Sequence, residues 1–169
     1  MDFTAFILLC VTAAGYFDLR WHRVPNWMVG LTIVVSLAWH VSASGLSGLW
    51  SSLAGLVLGV GLLFPLFLLR GMGAGDVKFF GALGAAVTHQ HVFRLLAISL
   101  FVGALMAFYV VLREGSARQT MSNLADILGR VLRGHIEPHP VVGIDNGQAL
   151  VVHFTAGVAV ATWIFVLTR

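Results

Sequence analysis

Residues 24–69 contain no lysine, arginine, aspartate or glutamate. A helix needs only about 20 mostly apolar residues to cross the hydrocarbon core of a bilayer, so this run is too long for one span and long enough for two. The stretch Ser-Ala-Ser-Gly-Leu-Ser-Gly, residues 42–48, supplies the small, turn-forming residues at which such a run would fold back. The chain as a whole is 59% hydrophobic and 10% charged, against about 25% charged residues in soluble domains. The expected fold class is therefore all-α: a polytopic membrane helical bundle forming a single domain over residues 1–169.

Reading between charges gives six spans: about 3–17 (continuing past Asp18), 26–42, 49–69, a short glycine-rich 77–87, 92–112 and 148–167. The N-terminus lacks the basic region of a cleavable signal peptide, so the first apolar run reads as a retained span. Arg20, Arg23, Arg70, Lys78, Arg113, Arg118, Arg130 and Arg133 then fall in three loops on one side, leaving Arg94 and Arg169 for the other. Basic loops mark the cytoplasmic face, which puts both termini outside, in the periplasm if the membrane is a bacterial inner membrane. Within the loop 113–147, Met121, Leu124, Ile127, Leu128, Val131 and Leu132 follow helical spacing with Arg130 and Arg133 off the stripe. This predicts an amphipathic helix that lies on the cytoplasmic membrane surface or caps the bundle.

Several function classes drop out. No basic run exists to track phosphates, so a nucleic-acid partner is not expected. The single cysteine, Cys10, rules out an internal disulfide and a multi-cysteine zinc site. Neither a metal nor a cofactor is called for.

Acids at the membrane edge are expensive, and two stand out: Asp18, ending the first span, and Asp76, opening the fourth. Each has an ordinary structural reading. Asp76 could be an N-cap that accepts backbone N–H bonds. Asp18 lies near the end of a helix where the dipole disfavours negative charge, and could pair with Arg20, Arg23 or His22. Both nevertheless fall on the same side of the bundle, at one depth. Two close carboxylates in a low-dielectric site cannot both ionise, and they share a proton. The ionised member can then take a proton from water while the protonated member donates to the carbonyl being attacked. The glycines of Arg-Gly-Met-Gly-Ala-Gly-Asp, residues 70–76, would let the backbone take unusual dihedrals and let a substrate strand approach Asp76, or would simply turn the chain between spans.

Gly-Ala-Gly-Asp-Val-Lys, residues 73–78, resembles the Gly-x-Gly-Asp-x-Lys motif of the type IV prepilin peptidases, which are membrane aspartic peptidases. Residues 17–27, Phe-Asp-Leu-Arg-Trp-His-Arg-Val-Pro-Asn-Trp, resemble that family's first motif, an aspartate followed by hydrophobic-Pro-Asn. The resemblance implies a catalytic pair of Asp18 and Asp76, a loop shaped by Gly73 and Gly75, and family positions at Lys78 and Asn26. It implies as partner the precursor of a type IV pilin or pseudopilin, cleaved at the cytoplasmic face of the inner membrane. Longer members carry an added cytoplasmic domain, often with paired Cys-x-x-Cys motifs, and methylate the new N-terminus. This chain resembles the short form of tight-adherence (Flp) pilus systems, which argues against N-methyltransferase activity. A Pro-Tyr-Gly-like entry to the last helix, common in the family, is missing.

Other residues have plainer readings. His153 reads as a buried histidine bonded to a neighbouring helix, and His89 and His91 as surface residues at an outer turn. Gly55 and Gly59 form a Gly-x-x-x-Gly that lets helices pack closely, and Trp21 and Trp27 suit the interface. A presenilin-like protease would place its acids on adjacent spans and carry Pro-Ala-Leu, neither of which is found. The alternative outside the enzymes is a small transporter or pilus-assembly factor using the acids as a proton relay.

Overall fold

The computed structural model describes residues 2–21, 23–69, 72–114, 122 and 154–168. Among them are five helices and no strand: α1 (Phe3–Trp21), α2 (Asn26–Leu68), α3 (Ala74–Val87), α4 (Val92–Glu114) and α5 (Phe154–Leu167). The expected amphipathic helix in 113–147, apart from residues 113, 114 and 122, lies outside the described residues, as do His22, Arg70, Gly71 and His153.

The charge-free run forms α2, and the chain turns back within it. Gly45 leaves helical geometry at φ 61°, ψ −139°, a conformation that an L side chain would strain and glycine tolerates. The turn thus falls inside the 42–48 stretch. The limbs on either side, 26–44 and 46–68, are about 28 and 34 Å long at 1.5 Å per residue, close to the hydrocarbon thickness of a bilayer. Three helices, α1, α2 and α4, are long and apolar enough to cross a membrane, and α5 is a shorter apolar helix. The expected six spans thus become three such helices, the second folded into two limbs, together with the 14-residue α3 and α5. Many large apolar side chains point outward, among them Val57, Phe64, Phe101, Leu105 and Phe108. In water these would be an aggregation hazard; against lipid tails their exposure costs little.

α3 is the enclosed element. Every residue from Phe79 to Ala86 is buried, as expected of a helix apolar on all sides. It starts at Ala74, three residues earlier than the charge pattern indicates, because Gly75 and Asp76 belong to its first turn rather than to a loop. The limb 46–68 packs against it backbone to backbone. A Cβ added to Gly55 would lie 2.2 Å from the Gly84 carbonyl oxygen, and one added to Gly84 would lie 2.2 Å from that of Gly55. One turn on, a Cβ on Gly59 would lie 3.0 Å from the Gly81 Cα. Gly55 and Gly59 therefore mesh with Gly81 and Gly84, the small-residue packing that serves where lipid removes the hydrophobic drive between helices. The last carbonyls of α3 have no partner within their own helix. Ser52 Oγ donates to the Ala85 oxygen at 2.8 Å, and His40 Nε2 lies 3.1 Å from the Ala86 oxygen.

α5 packs between α1 and α4, again through small residues: Gly15 against Ala159, and Gly103 against Gly157. Sequential neighbours run antiparallel, so the C-terminal turn of α1 and the N-terminal turns of α3 and α5 meet at one end of the bundle. The other end holds a cavity of about 820 Å³ lined by His40, His89, His91 and Trp50 among others. His89 is exposed and bonded to Ser51 Oγ at 3.0 Å, while His91 is half-buried against Phe165.

The glycine contacts make a sharp prediction. Gly55→Ala and Gly84→Ala should each lower thermal stability in detergent by about 1–3 kcal/mol, the usual cost of overpacking. Gly61→Ala, with nothing within 4 Å of its added Cβ, should be neutral or mildly stabilising by the same measurement.

Candidate functional site

The inward face of α1 is set by a helical stripe: Ile7, Cys10, Val11, Ala14, Gly15 and Asp18 are its buried residues. Asp18 continues an apolar stripe one turn before the helix ends, and so it points inward at 8% exposure. Gly15, three residues earlier, is what lets α5 come close: an added Cβ there would lie 3.1 Å from Ala159 Cβ and 3.5 Å from Ala156 Cα. The same approach carries the Ala156 N–H to Asp18, where it donates to Oδ2 at 3.2 Å. The negative end of one helix thus meets the positive end of another. A carboxylate badly placed for its own dipole is well placed for its neighbour's.

Asp76 is not the N-cap of its helix. That position is Gly73, at φ −72° and ψ 146°, and Asp76 is the third residue of α3. Its carboxylate lies close to Gly73, at the end of the helix that favours negative charge. It also accepts a hydrogen bond from the Thr155 hydroxyl at Oδ1 and is reached by the Thr155 backbone N–H. Asp18 and Asp76 lie within electrostatic range of each other. The two acids of the sequence motifs are therefore side by side, and both are held by consecutive residues, Thr155 and Ala156, in the first turn of α5.

The remaining sequence candidates are placed as follows. Neither Gly73 nor Gly75 takes a left-handed conformation, and Gly45 is the only glycine with positive φ among the described residues. The unusual dihedrals expected of them are absent because the helix has already begun. What Gly73 supplies is room: a Cβ there would lie 3.2 Å from Asp76 Oδ2. Around Gly75 the nearest atom to an added Cβ is the Val24 nitrogen at 3.9 Å, which shows the α1–α2 turn packed beside the start of α3. Asn26 opens α2 after Pro25 and is exposed, and Lys78 is exposed one turn into α3. Arg20 is exposed, with its guanidinium 5.8 Å from the Trp21 ring centroid. No group of three or more His, Cys, Asp or Glu among the described residues is arranged to hold a metal ion.

Thr155 was not among the candidates drawn from sequence, although a signal existed. Thr12, Thr32, Thr162 and Thr168 each donate to the carbonyl four residues back in their own helix, the usual resting place of a helical hydroxyl. Thr155 is the second residue of α5, and its buried hydroxyl finds its partner on another element.

Residues 5–108 match the model of the type IV leader peptidase family. The chain belongs to that family. No curated protein and no solved structure matches it. The chain is accordingly an integral membrane protein of a peptidase family, as the two motifs and the apolar helices imply. The matched residues take in Asp18, Asn26, Gly73, Gly75, Asp76 and Lys78, and Thr155 lies beyond them.

The two motif glycines should respond differently to a methyl group. Gly73→Ala should crowd Asp76 Oδ2 and lower leader-peptidase activity by about tenfold or more, the scale on which small displacements of a reacting group act. Gly75→Ala should leave thermal stability in detergent unchanged or raise it by up to about 1 kcal/mol, since a helical glycine is replaced where there is space.

Proposed function

We propose that this member of the type IV leader peptidase family is an aspartic endopeptidase that removes the leader of type IV prepilins or pseudopilins, with Asp18 and Asp76 as its catalytic pair. The observation that carries this reading is the convergence of two carboxylates, from helices separated by the whole of α2, on one turn of a third helix at one end of the bundle.

The chemistry follows from the pairing. With one carboxylate ionised and one protonated, the ionised member removes a proton from a water held between them. The water oxygen bonds to the scissile carbonyl carbon as the protonated member gives its proton to the carbonyl oxygen, forming a neutral gem-diol. Collapse of the diol breaks the C–N bond. The leaving amine takes a proton from the first aspartate and the second regains one from the diol, which resets the pair. Lys78 and Asn26, both exposed near this end of the bundle, are suited to contact the leader, and Gly75 leaves its side open for a substrate backbone.

Orientation supports the same reading. The basic residues Arg20, Arg23 and Lys78 lie at the end of the bundle that holds the aspartates, which by the positive-inside rule is cytoplasmic. Both termini are then periplasmic and cleavage occurs at the cytoplasmic face of the inner membrane. The proton-relay alternative calls for polar groups linking the two ends of the bundle. The interior of α3 between Asp76 and the histidine-lined cavity is instead Phe79, Phe80, Leu83 and small residues, which favours hydrolysis at one face.

Asp18→Asn and Asp76→Asn should each reduce cleavage of a co-expressed prepilin by at least about a hundredfold while the protein still accumulates in the membrane. Sequencing the new N-terminus of the pilin is the readout, and full cleavage by either variant would remove that aspartate from the pair.

A further inference from the structure

The two carboxylates are not in equivalent surroundings. Asp76 sits in the first turn of α3, at the positive end of that helix, half-buried, close to Gly73 and with the Thr155 N–H and hydroxyl directed at it. Asp18 sits in the last turn of α1, is more deeply buried, and has the Ala156 N–H directed at it. Burial penalises a charge, whereas donors and a favourable helix end stabilise one.

We propose that Thr155 is a positioning residue that holds the Asp76 carboxylate in place and favours its ionised form, the form that activates water. The inference rests on the peptidase reading above and adds a positioning residue to it. Its observational basis is one hydrogen bond between helices. Thr155 departs from Thr12, Thr32, Thr162 and Thr168 in donating across helices, and its acceptor is the carboxylate of Asp76. A hydroxyl that donates in this way fixes the carboxylate plane and favours the ionised form. It also ties the placement of α5 to the protonation of the pair, because the next residue, Ala156, contacts the other aspartate. Of the charged groups near Asp76 among the described residues, Asp18 on α1 acts on it directly, while Lys78 on its own helix and Arg20 and Arg23 beside α1 are exposed.

The test compares Thr155→Val, which keeps the shape and removes the hydroxyl, with Thr155→Ser, which keeps the hydroxyl and removes the methyl. Purified full-length protein in detergent is assayed against a prepilin across pH, with Asp18→Asn and Asp76→Asn as controls. Without its donor the Asp76 carboxylate binds a proton more readily, so the ionised fraction at a given pH falls. Thr155→Val should therefore move the acidic limb of the kcat profile to higher pH by about one unit and lower kcat at neutral pH by about tenfold to a hundredfold, the scale of one hydrogen bond to a charged group. KM for the prepilin should be unchanged, and Thr155→Ser should restore both kcat and the limb. An unmoved limb, a limb displaced to lower pH, or a serine variant as impaired as the valine variant would each overturn the assignment. If instead the two Asp→Asn controls cleave like the parent, it is the peptidase pair that fails. Inactive controls beside a valine variant with parental kcat and limb would sink the Thr155 role alone.

Discussion

A carboxylate taken out of water has to be met by donors or by a favourable dipole, and this bundle takes two of them inside. The helix that meets both is α5. Its first turn gives a backbone N–H to Asp18 and a hydroxyl to Asp76, and it can do so only because Gly15 lets it lie against α1 and Gly157 lets it lie against α4. Much of the surrounding architecture serves that meeting. α1 delivers its acid at the wrong end of its own helix, α3 delivers its acid at the right end, and α5 closes the gap with the opposite dipole.

The glycines therefore do a different job from the one that a glycine-rich motif first suggests. Flexibility is used at Gly45, where α2 turns back on itself at φ 61°. Elsewhere glycine serves as the absence of a side chain. At Gly55 and Gly84 it brings two backbones together so that α3 can be enclosed. At Gly73 it leaves space for the oxygen of Asp76. A short helix buried on every side, with its last carbonyls held by Ser52 and His40, is a rigid mount for the acid in its first turn.

Much of this could be read from residue order alone. The acids, the flanking Pro25-Asn26 and Lys78, the turn within 42–48 and the apolar runs are all local signals, and each reports on charge or spacing that a bilayer punishes or rewards directly. Reading between charges starts α3 after Asp76, whereas the helix takes Asp76 into its first turn, and the tertiary contacts that allow a buried acid there are invisible in sequence. The same holds for the N-cap: an Asp after glycines looks like a cap, whereas the helix begins at Ala74 with Gly73 capping it. Thr155 escaped notice for a related reason. A threonine in an apolar run is unremarkable until its neighbours in space are known, and only the packing of α5 against α3 shows that its hydroxyl meets Asp76. His153 drew attention instead because histidine advertises chemistry by type, while Thr155 does so by position.

This division bears on how such a site can be built in a membrane. Each aspartate has a local sequence context that marks it, but the element joining the two contributes no acid, no base and no glycine motif of its own. It contributes a helix start. A helix N-terminus offers unpaired N–H groups wherever it occurs, and placing it opposite two carboxylates requires small residues where it meets the helices that flank it. Two acids can thus be held by a helix that carries no acid itself. The contacts to both acids therefore depend on the register of α5 as much as on the aspartates themselves. A displacement of α5 along α1 would move the donors of both acids together, since Thr155 and Ala156 are adjacent in the chain, so the pair is assembled or disturbed as a unit.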